Sequence, residues 1–319
     1  MKKTYTIIAL VAGLYSQIGT AGPIELLNQN NLIVFGNLQS NSEVEGKTLV
    51  GGDISGPASN YGINLAPYDT ALVVGGNVTS GTTINANGHT VTVAGNNNGT
   101  INSALTVTGS SSVDFGLVKN ELTDFSSYLA NLNANSLLDS PNGNQPSAAN
   151  FNIDSNIGNG MAVFNIDTAD LFGNGLVQQY DINFANQSPS AVVINVAGEN
   201  ITDASMGNPV GGFNKTNSDF IIWNFYEAID IKLDKRLQGS LLAPLATLTI
   251  SNYIEGSVVV DNFFQNGEIH NPVFNGDIAY NPIPTVSVPT PVPAPSSLLI
   301  FAAALLGLGL WRRKTSIDK

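Results

Sequence analysis

Short runs of apolar, mostly β-branched residues recur along the first third of the chain, and each ends in glycine and a small polar residue. The units are residues 48–55 (TLVGGDIS), 72–79 (LVVGGNVT), 91–96 (VTVAGN) and 105–110 (LTVTGS). Glycine reaches the positive-φ corner of a tight turn, and Asn or Asp tolerates the same region. Strand and corner at intervals of 14 to 24 residues predict the coils of a β-solenoid. A β-sandwich, whose turns also recur at short intervals, is the alternative.

One segment follows a different period. A single apolar stripe of helical spacing is formed by Phe115, Val118, Leu122, Phe125, Leu129 and Leu132. Asp114 can cap the start of this helix, and the asparagine-containing stretch 133–135 can end it. We therefore predict one long amphipathic helix, about 115–132, packed alongside the β core. Because Lys119 is its only basic residue, membrane binding by this helix is disfavoured.

Strand-like runs resume after a loop. The composition of residues 139–150 (DSPNGNQPSAAN) predicts a surface loop. Strands are predicted at 161–166 and 191–198, and a block of short apolar strands and corners covers 220–260. Prolines preclude regular pairing beyond Tyr280, so the mainly β domain is predicted to end there.

The first residues indicate export. Lys2 and Lys3 precede an apolar stretch at 7–18, and Gly19-Thr20-Ala21 has the small-x-small pattern of a signal-peptidase site. We predict a signal peptide at 1–21 with cleavage between Ala21 and Gly22. The exported domain would then cover residues 24–280.

The last residues indicate sorting. A proline-rich linker (281–295) leads to an uncharged apolar stretch at 298–311, and the basic tail is Arg312, Arg313 and Lys314. The apolar stretch is short for a permanent anchor, which needs about 20 residues, and the basic tail would stay cytoplasmic.

The order of these parts at 292–319 resembles the PEP-CTERM sorting signal that exosortases cleave in Gram-negative bacteria. Its motif would be Val292, Pro293, Ala294 and Pro295, with Ala294 where that family has Glu. The resemblance implies transient anchoring in the inner membrane through a short transmembrane helix and processing by an exosortase. Release to the cell surface or the extracellular matrix would follow. An ordinary single-pass anchor is the alternative.

The charge of the exported part limits its partners. Between the two signals, six basic residues stand against 23 acidic ones, a net charge of about −17. A body this acidic repels phosphate backbones, so nucleic acid is disfavoured as a partner. The chain has no cysteine, so an exported domain must gain its stability from burial and backbone hydrogen bonds rather than from disulfides.

The body resembles a known family at both ends. Residues 31–38 (NLIVFGNL), 42–47 and 50–53 look like the opening of the choice-of-anchor A domain. The end of that domain is similar to a second set of residues in this chain: Trp223, 239–244, 255–259 and 267–271. The same stretches are similar to ice-binding-like adhesive solenoids, in which a long helix lies along the solenoid. The resemblance implies a surface adhesive or matrix domain and no catalytic residues.

No catalytic, cofactor-binding or metal-binding residue is predicted. Gly46-Lys47-Thr48 is not a phosphate-binding loop, because Asn41 stands where the first glycine belongs. The two histidines, His89 and His270, lack further ligands at a metal-binding spacing. Glu268 can orient His270, and a structural hydrogen bond is the favoured interpretation of that pair.

Two other patterns suggest binding. Oxygen-bearing residues alternate over 152–156 as in a calcium loop, but Val163 stands where the bidentate Glu belongs, which leaves only a weak Ca²⁺ possibility. Threonine pairs could bind ice if they stacked on one face, although threonine is also an ordinary solvent-facing strand residue. The pairs are Thr90 and Thr92, Thr106 and Thr108, and Thr247 and Thr249.

These observations together predict a non-enzymatic exported protein. The favoured function is that of an adhesin or a structural protein of the exopolysaccharide or biofilm matrix, with a polysaccharide or another cell-surface ligand as partner. Ice binding is the alternative. A polysaccharide-active enzyme is a third hypothesis, disfavoured by the few basic residues available to a lyase: Lys215, Lys232, Lys235 and Arg236.

Overall fold

A computed structural model of the chain describes residues 21–280. The predicted signal peptide up to residue 20, the proline-rich linker and the sorting signal, with its apolar stretch at 298–311, lie outside these residues. Within the described part, no helix is both long and apolar enough to cross a bilayer.

The first half of the domain consists of a short helix and eleven short strands. The helix, α1, is Pro23–Gln29. The strands are β1 (Leu32–Val34), β2 (Leu38–Ser40), β3 (Glu43–Val44), β4 (Thr48–Val50), β5 (Ile54–Ser55), β6 (Ser59–Tyr61), β7 (Thr70–Val74), β8 (Thr83–Asn85), β9 (Thr90–Val93), β10 (Thr100–Asn102) and β11 (Leu105–Thr108).

The second half opens with the long helix α2, Phe115–Ala130. Two 3₁₀ turns lie at Thr168–Asp170 and Ser218–Phe220. The strands are β12 (Leu137–Asp139), β13 (Ser147–Asn152), β14 (Ala162–Asp167), β15 (Val177–Asn183), β16 (Val192–Ala197), β17 (Asn200–Thr202), β18 (Asn208–Pro209), β19 (Ile221–Asn224), β20 (Asp230–Leu233), β21 (Leu237–Gln238), β22 (Ser240–Ile250), β23 (Ile254–Glu255), β24 (Val258–Gln265) and β25 (Ile269–His270).

Three sheet faces of parallel strands surround one core, which makes the domain a β-solenoid rather than a β-sandwich. The helix face has the order β11-β9-β7-β4-β1-β24-β22-β19-β16-β14. The Phe264 face contains β5, β2, the second parts of β24 and β22, β20 and β17. The His270 face has the order β10-β8-β6-β3-β25-β23-β21. The predicted fold, a mainly β solenoid with one long helix alongside, is confirmed.

The coils are not stacked in chain order. Strand β1 lies in the middle of the helix face, and the first half of the chain builds outward from it to β11 at one end. Helix α2 then leads back, the second half starts at β14 at the opposite end, and β24 returns to pair with β1. We call this junction of the two halves the seam; it consists of the pairs β1–β24, β2–β24 and β3–β25. The sequence analysis did not predict it.

Helix α2 covers the helix face as its apolar stripe predicts. Its residues Leu122, Phe125 and Leu129 are fully buried against a row of outward-facing strand residues. That row includes Ile33, Leu49, Val193, Ile222, Leu242 and Val259. Burial of each large apolar side chain contributes about 1.5–3 kcal/mol. The predicted N-cap is confirmed, since the Asp114 side chain accepts a hydrogen bond from the Leu117 N–H.

A ladder of asparagines fixes the C-terminal end of α2. Asn165, Asn195 and Asn224 occupy one register position on β14, β16 and β19. Their amides donate to the carbonyls of Leu132, Leu129 and Ser126, respectively. Of these carbonyls, that of Leu129 is among the last of the helix, which lack an i+4 partner; the other two bonds tie the residues on either side of it to the sheet. The helix ends at Ala130 with Asn131 as its cap, earlier than the predicted end at 132.

Two of the glycine corners have a different cause from the one predicted. Gly52 and Gly76 do not have positive φ. A Cβ on Gly52 would instead lie 2.5 Å from Oδ1 of Asn37 in the adjacent coil, and one on Gly76 would lie 2.5 Å from the Gly52 carbonyl oxygen. At these two corners glycine is therefore required because the coils approach closely, whereas Gly109 has the predicted positive φ, at 89°.

The polar residue of each corner bonds the next coil. The side-chain oxygens of Asn262, Asn37, Asp53 and Asn77 accept hydrogen bonds from the backbone N–H groups of Asn37, Asp53, Asn77 and Asn96, at 2.7–2.9 Å. We call this series the Asx ladder. It crosses the seam without a break, because its first link joins Asn262 of β24 to Asn37 of the first coil.

A small sheet of order β12-β13-β15-β18 forms another side of the coils that contain β14, β16 and β19, and its edge strand β12 lies at the β14 end; we call it the closing sheet. Beneath it lies an aromatic cluster in which Phe151 of β13 packs edge-on against Phe164 of β14 and against Trp223 of β19. The predicted loop at 139–150 is shorter in the structure, since β13 begins at Ser147. Helix α1 and this closing sheet were not predicted.

We expect Gly76→Ala to lower the free energy of unfolding by about 1–3 kcal/mol, because the added methyl group would force adjacent coils apart. Gly143→Ala is the matched control, since nothing lies within 4 Å of a Cβ at that position. Urea denaturation of residues 22–280 measures both variants. Equal stability of the two would contradict the close-approach explanation.

Candidate binding surface

Most of the helix face is covered; at its β11 end, the outward-facing Leu105 and Val107 stay exposed. Besides α1 and α2, the segment 271–280 lies on it, with Phe274 and Ile278 buried. Ala21 and Tyr280, the first and last described residues, both pack against this same layer. The Phe264 face is free of these elements.

Side chains on the Phe264 face stand in straight rows because the strands are in register. One row crosses β20, β22, β24, β2 and β5 at Lys232, Thr249, Phe264, Gln39 and Ser55. Neighbouring members lie one strand spacing apart, about 4.8 Å. The Asx ladder borders this row at the corner with the helix face.

Phe264 is the apolar centre of this otherwise polar face. Its side chain is 45% exposed, although its neighbour Phe263 is buried. A groove of about 430 Å³ adjoins the ring on one side. Its lining comprises Asn37, Gln39, Asp53, Ser55, Thr79, Thr247, Asn262, Phe263 and Phe264. Sequence analysis did not single out Phe264, yet two adjacent phenylalanines in a strand of period two require that one of them point outward.

The predicted pair of His270 and Glu268 is present within a larger cluster at the seam. Nε2 of His270 lies 2.5 Å from Oε2 of Glu268, and Nδ1 lies 3.3 Å from Oε1 of Glu255. The ring stacks on Tyr253 at 4.9 Å between centroids. Glu45, across the seam, accepts a hydrogen bond from the Asn271 N–H at 2.7 Å.

The carboxylates determine the charge of His270. Burial opposes protonation of the ring, but hydrogen bonds to Glu268 and Glu255 outweigh it and raise the His270 pKa. Burial and the nearby charge of Glu268 raise the pKa of Glu43, on the other side of the seam. Both shifts favour bound protons in the folded chain. The cluster therefore acts as a structural ion-pair network.

The threonine pairs do not meet on one face. Thr247 and Thr249 lie on the Phe264 face. Thr92 is in register with Val73 on the helix face, whereas Thr106 is in register with the buried Val91. The three pairs cannot form one flat array.

The calcium-like stretch forms a turn. Oδ1 of Asp154 accepts hydrogen bonds from the backbone N–H and the side-chain amide of Asn156. Residues 21–280 contain no group of three or more His, Cys, Asp or Glu side chains placed to hold a metal ion. Weak Ca²⁺ binding stays a prediction.

The basic residues considered for lyase chemistry bond to different partners. Lys215 pairs with Glu255 at 3.4 Å, and Lys232 pairs with Asp234 at 3.6 Å. Arg236 donates to the Pro209 carbonyl at 3.0 Å. Lys215 and Arg236 therefore both lie beside the His270 cluster, the first through Glu255 and the second through the Tyr253 hydroxyl at 3.5 Å. Lys232 lies apart from them, on the Phe264 face.

Some of the residues predicted to direct cleavage and sorting lie outside residues 21–280. Gly22 is the N-cap of α1, so cleavage between Ala21 and Gly22 would leave the helix intact. The site remains a prediction, as do the roles of the motif and basic tail, which lie beyond Tyr280: Val292, Pro293, Ala294, Pro295, Arg312, Arg313 and Lys314.

The fold places the chain in the class of β-solenoids with a helix packed alongside and one uncovered polar face. The chain belongs to the family of the ice-binding-like adhesive domain, which matches residues 23–271. Residues 291–314 match the PEP-CTERM protein-sorting motif, which implies export and sorting to the cell surface. Both resemblances found in the sequence are confirmed. No curated protein matches the chain.

Two solved structures are similar to the chain at low identity. An ice binding protein from an Antarctic biological consortium is 13% identical, with a TM-score of 0.30, over 83% of this chain and 96% of that one. The DUF3494 domain of Shewanella frigidimarina ice-binding protein 1 is 11% identical, with a TM-score of 0.32, over 81% and 99%.

We expect folding stability to fall as pH rises through the His270 pKa. The pKa of His270 is higher in the folded chain than its unfolded value of 6.5. The stabilisation by the charged ring is therefore fully present below pH 6.5 and is lost as the pH rises above the folded-state pKa. His270→Gln should therefore destabilise residues 22–280 by roughly 1–2 kcal/mol at low pH and by less at high pH. Urea denaturation at a series of pH values checks this. A difference between variant and parent that is independent of pH would contradict it.

Proposed function

We propose that this protein is a non-enzymatic adhesin or matrix protein that binds an extracellular polysaccharide through the Phe264 face. The observation on which the proposal rests is the half-exposed Phe264 ring, which lies in a row between the hydrogen-bonding side chains of Thr249 and Gln39 and beside an open groove. Aromatic rings supply a flat apolar surface at little cost in conformational entropy. A sugar ring has an apolar face that can stack on such a surface and hydroxyl groups around its rim that can bond Gln39 and Thr249.

The form of the surface also supports a polymer as ligand. The row is open at both ends and repeats at the strand spacing, so a glycan chain could extend along it and make many weak contacts at once. Charge suggests what kind of glycan is bound. The body carries six basic and 23 acidic residues, so a neutral polysaccharide, or one bearing positive charge, would approach more readily than a polyanion.

Ice binding is the second candidate, and a specific observation favours it. Residues 70–113 contain no Asp, Glu, Lys or Arg. In this stretch Thr83 and Asn85 of β8 stand beside Thr100 and Asn102 of β10, in register on the His270 face. An uncharged, regular array of hydroxyl and amide groups could order water. The array is only two coils wide and contains amides, so we favour the polysaccharide.

We expect Phe264→Ala to weaken binding to polysaccharide extracted from the producing bacterium by about tenfold, since loss of the stacking surface costs roughly 1–2 kcal/mol. Tyr68→Ala is the control, because Tyr68 is 80% exposed in the loop between β6 and β7, away from the Phe264 row. Co-sedimentation of residues 22–280 with the polysaccharide measures retention.

Three outcomes would contradict the proposal. Equal binding by both variants would remove the Phe264 face as the site. Turnover of the polysaccharide would establish an enzyme. Inhibition of ice-crystal growth without any retention on polysaccharide would favour ice binding.

We further propose that an exosortase removes the C-terminal segment after transient anchoring in the inner membrane, so that the protein reaches the cell surface or matrix without it. The match of residues 291–314 to the sorting motif supports this. Mass spectrometry of the mature protein should find a C-terminus upstream of residue 298 in the parent strain and an intact one in a strain without its exosortase. An intact C-terminus in the parent would contradict the proposal.

A further inference from the structure

One end of the solenoid is uncovered. Strand β11 pairs only with β9, and β10 pairs only with β8. The outer edges of both strands therefore present backbone N–H and C=O groups that no other described strand pairs. At the opposite end, the N–H groups of Asn135 and Ser136 bond to the Val163 carbonyl of β14. Proteins normally protect exposed strand edges, because such edges are templates for pairing with another chain.

The side chains of β11 fit a pairing partner. Leu105 is 56% exposed and Val107 is 39% exposed, and both point to the same side because strand residues alternate. The residue between them, Thr106, is in register with Val91 of β9 and points the other way. An edge strand with two exposed apolar side chains on one side is poorly suited to face water.

Charge selects which partner can approach. The body has a net charge of −17, from six basic and 23 acidic residues, so two copies repel each other over most of their surfaces. The uncovered end lies within residues 70–113, which contain no Asp, Glu, Lys or Arg. A second copy can meet this end without juxtaposing like charges and without desolvating any charged group.

Symmetry then fixes the geometry. A two-fold axis between two β11 strands requires antiparallel pairing. Centred on Thr106, such a pair places Leu105 opposite Val107 of the other copy, and Val107 opposite its Leu105. The four apolar side chains would cover one another on one side of the joined sheet, and the two Thr106 residues would face each other on the other side. Cross-strand pairs of both kinds are stabilising.

We propose that two copies of this protein associate end to end through their β11 strands, forming a continuous sheet across the dimer. Each dimer then presents two Phe264 faces. If the proposed function is correct, the dimer can hold two glycan segments, which raises the overall strength of attachment without any new contact. The dimer itself does not depend on that function.

Sedimentation velocity over a concentration series tests the proposal on the mature protein and on residues 22–280, which include the whole described core. The parent should shift reversibly from monomer to dimer as concentration rises. Val107→Lys should weaken association at least tenfold, because it places two like charges in the interface. Leu105→Lys, at a more exposed position, is a second variant with little risk to folding.

Leu137→Lys is the matched control. Leu137 is 75% exposed on β12, an edge strand of the closing sheet at the opposite end, so its replacement should leave the dimer intact. Added salt should strengthen association by screening the repulsion between the two acidic bodies.

A monomeric parent at every concentration would overturn the proposal. A dimer that Leu137→Lys abolishes and Val107→Lys leaves unchanged would also overturn it. The same holds if the β11 edge does not self-associate but binds an extended strand of a different protein. Loss of association in Val107→Lys with glycan binding retained on a dense surface would support the dimer separately from the proposed function.

Discussion

The solenoid depends on the contact between its first coil and its last. Asn31 is fully buried at this seam. Its side-chain amide donates to the carbonyls of Gly256 and His270, at 2.9 and 3.1 Å, and its oxygen accepts from the Gly46 N–H at 3.0 Å. One short side chain thus joins the first coil to residues 225 and 239 positions away in sequence. Without it, the Gly256 carbonyl on one side of the seam and the Gly46 N–H on the other would lose these bonds, and each unsatisfied buried group would cost about 1–3 kcal/mol.

This junction makes the two halves interdependent. Strand β1 cannot complete its pairing until β24, more than two hundred residues later, has formed, and pairing over such a separation is entropically slow. The seam compensates with several side-chain bonds: Ser40 to Gln265 at 2.7 Å, Asn41 to Asn266 at 2.9 Å, and the Asx-ladder link from Asn262 to Asn37. It also holds the carboxylate cluster around His270. Glu43, Glu45, Glu255 and Glu268 therefore lie together where the halves meet, and the raised pKa of His270 favours a charged ring that offsets part of their repulsion.

The sequence predicts local elements well because their causes are local. The helical stripe of α2 and its Asp114 cap lie within one segment, and the glycine corners repeat visibly. The order of the coils has no local cause, since parallel strands of similar composition can stack in many orders. Two of the corner glycines show the same limit: their position was predicted, but the reason lies in Asn37 and Asp53 of neighbouring coils. Phe264 was missed because its exposure depends on which residue of the Phe263-Phe264 pair faces the core.

The helices and the segment 271–280 cover one face of the solenoid and leave the Phe264 face exposed. Packing of α1, α2 and residues 271–280 on one face buries most of its outward-facing apolar side chains and places both described chain ends on that side. The Phe264 face is then left with polar rows that need no cover, since their hydrogen-bonding groups are satisfied by water until a ligand replaces it. A single aromatic ring among them would add little to folding stability while it is half exposed. Its position between the amide of Gln39 and the hydroxyl of Thr249 is therefore not a requirement of solenoid packing, and this is why the proposed function rests on it.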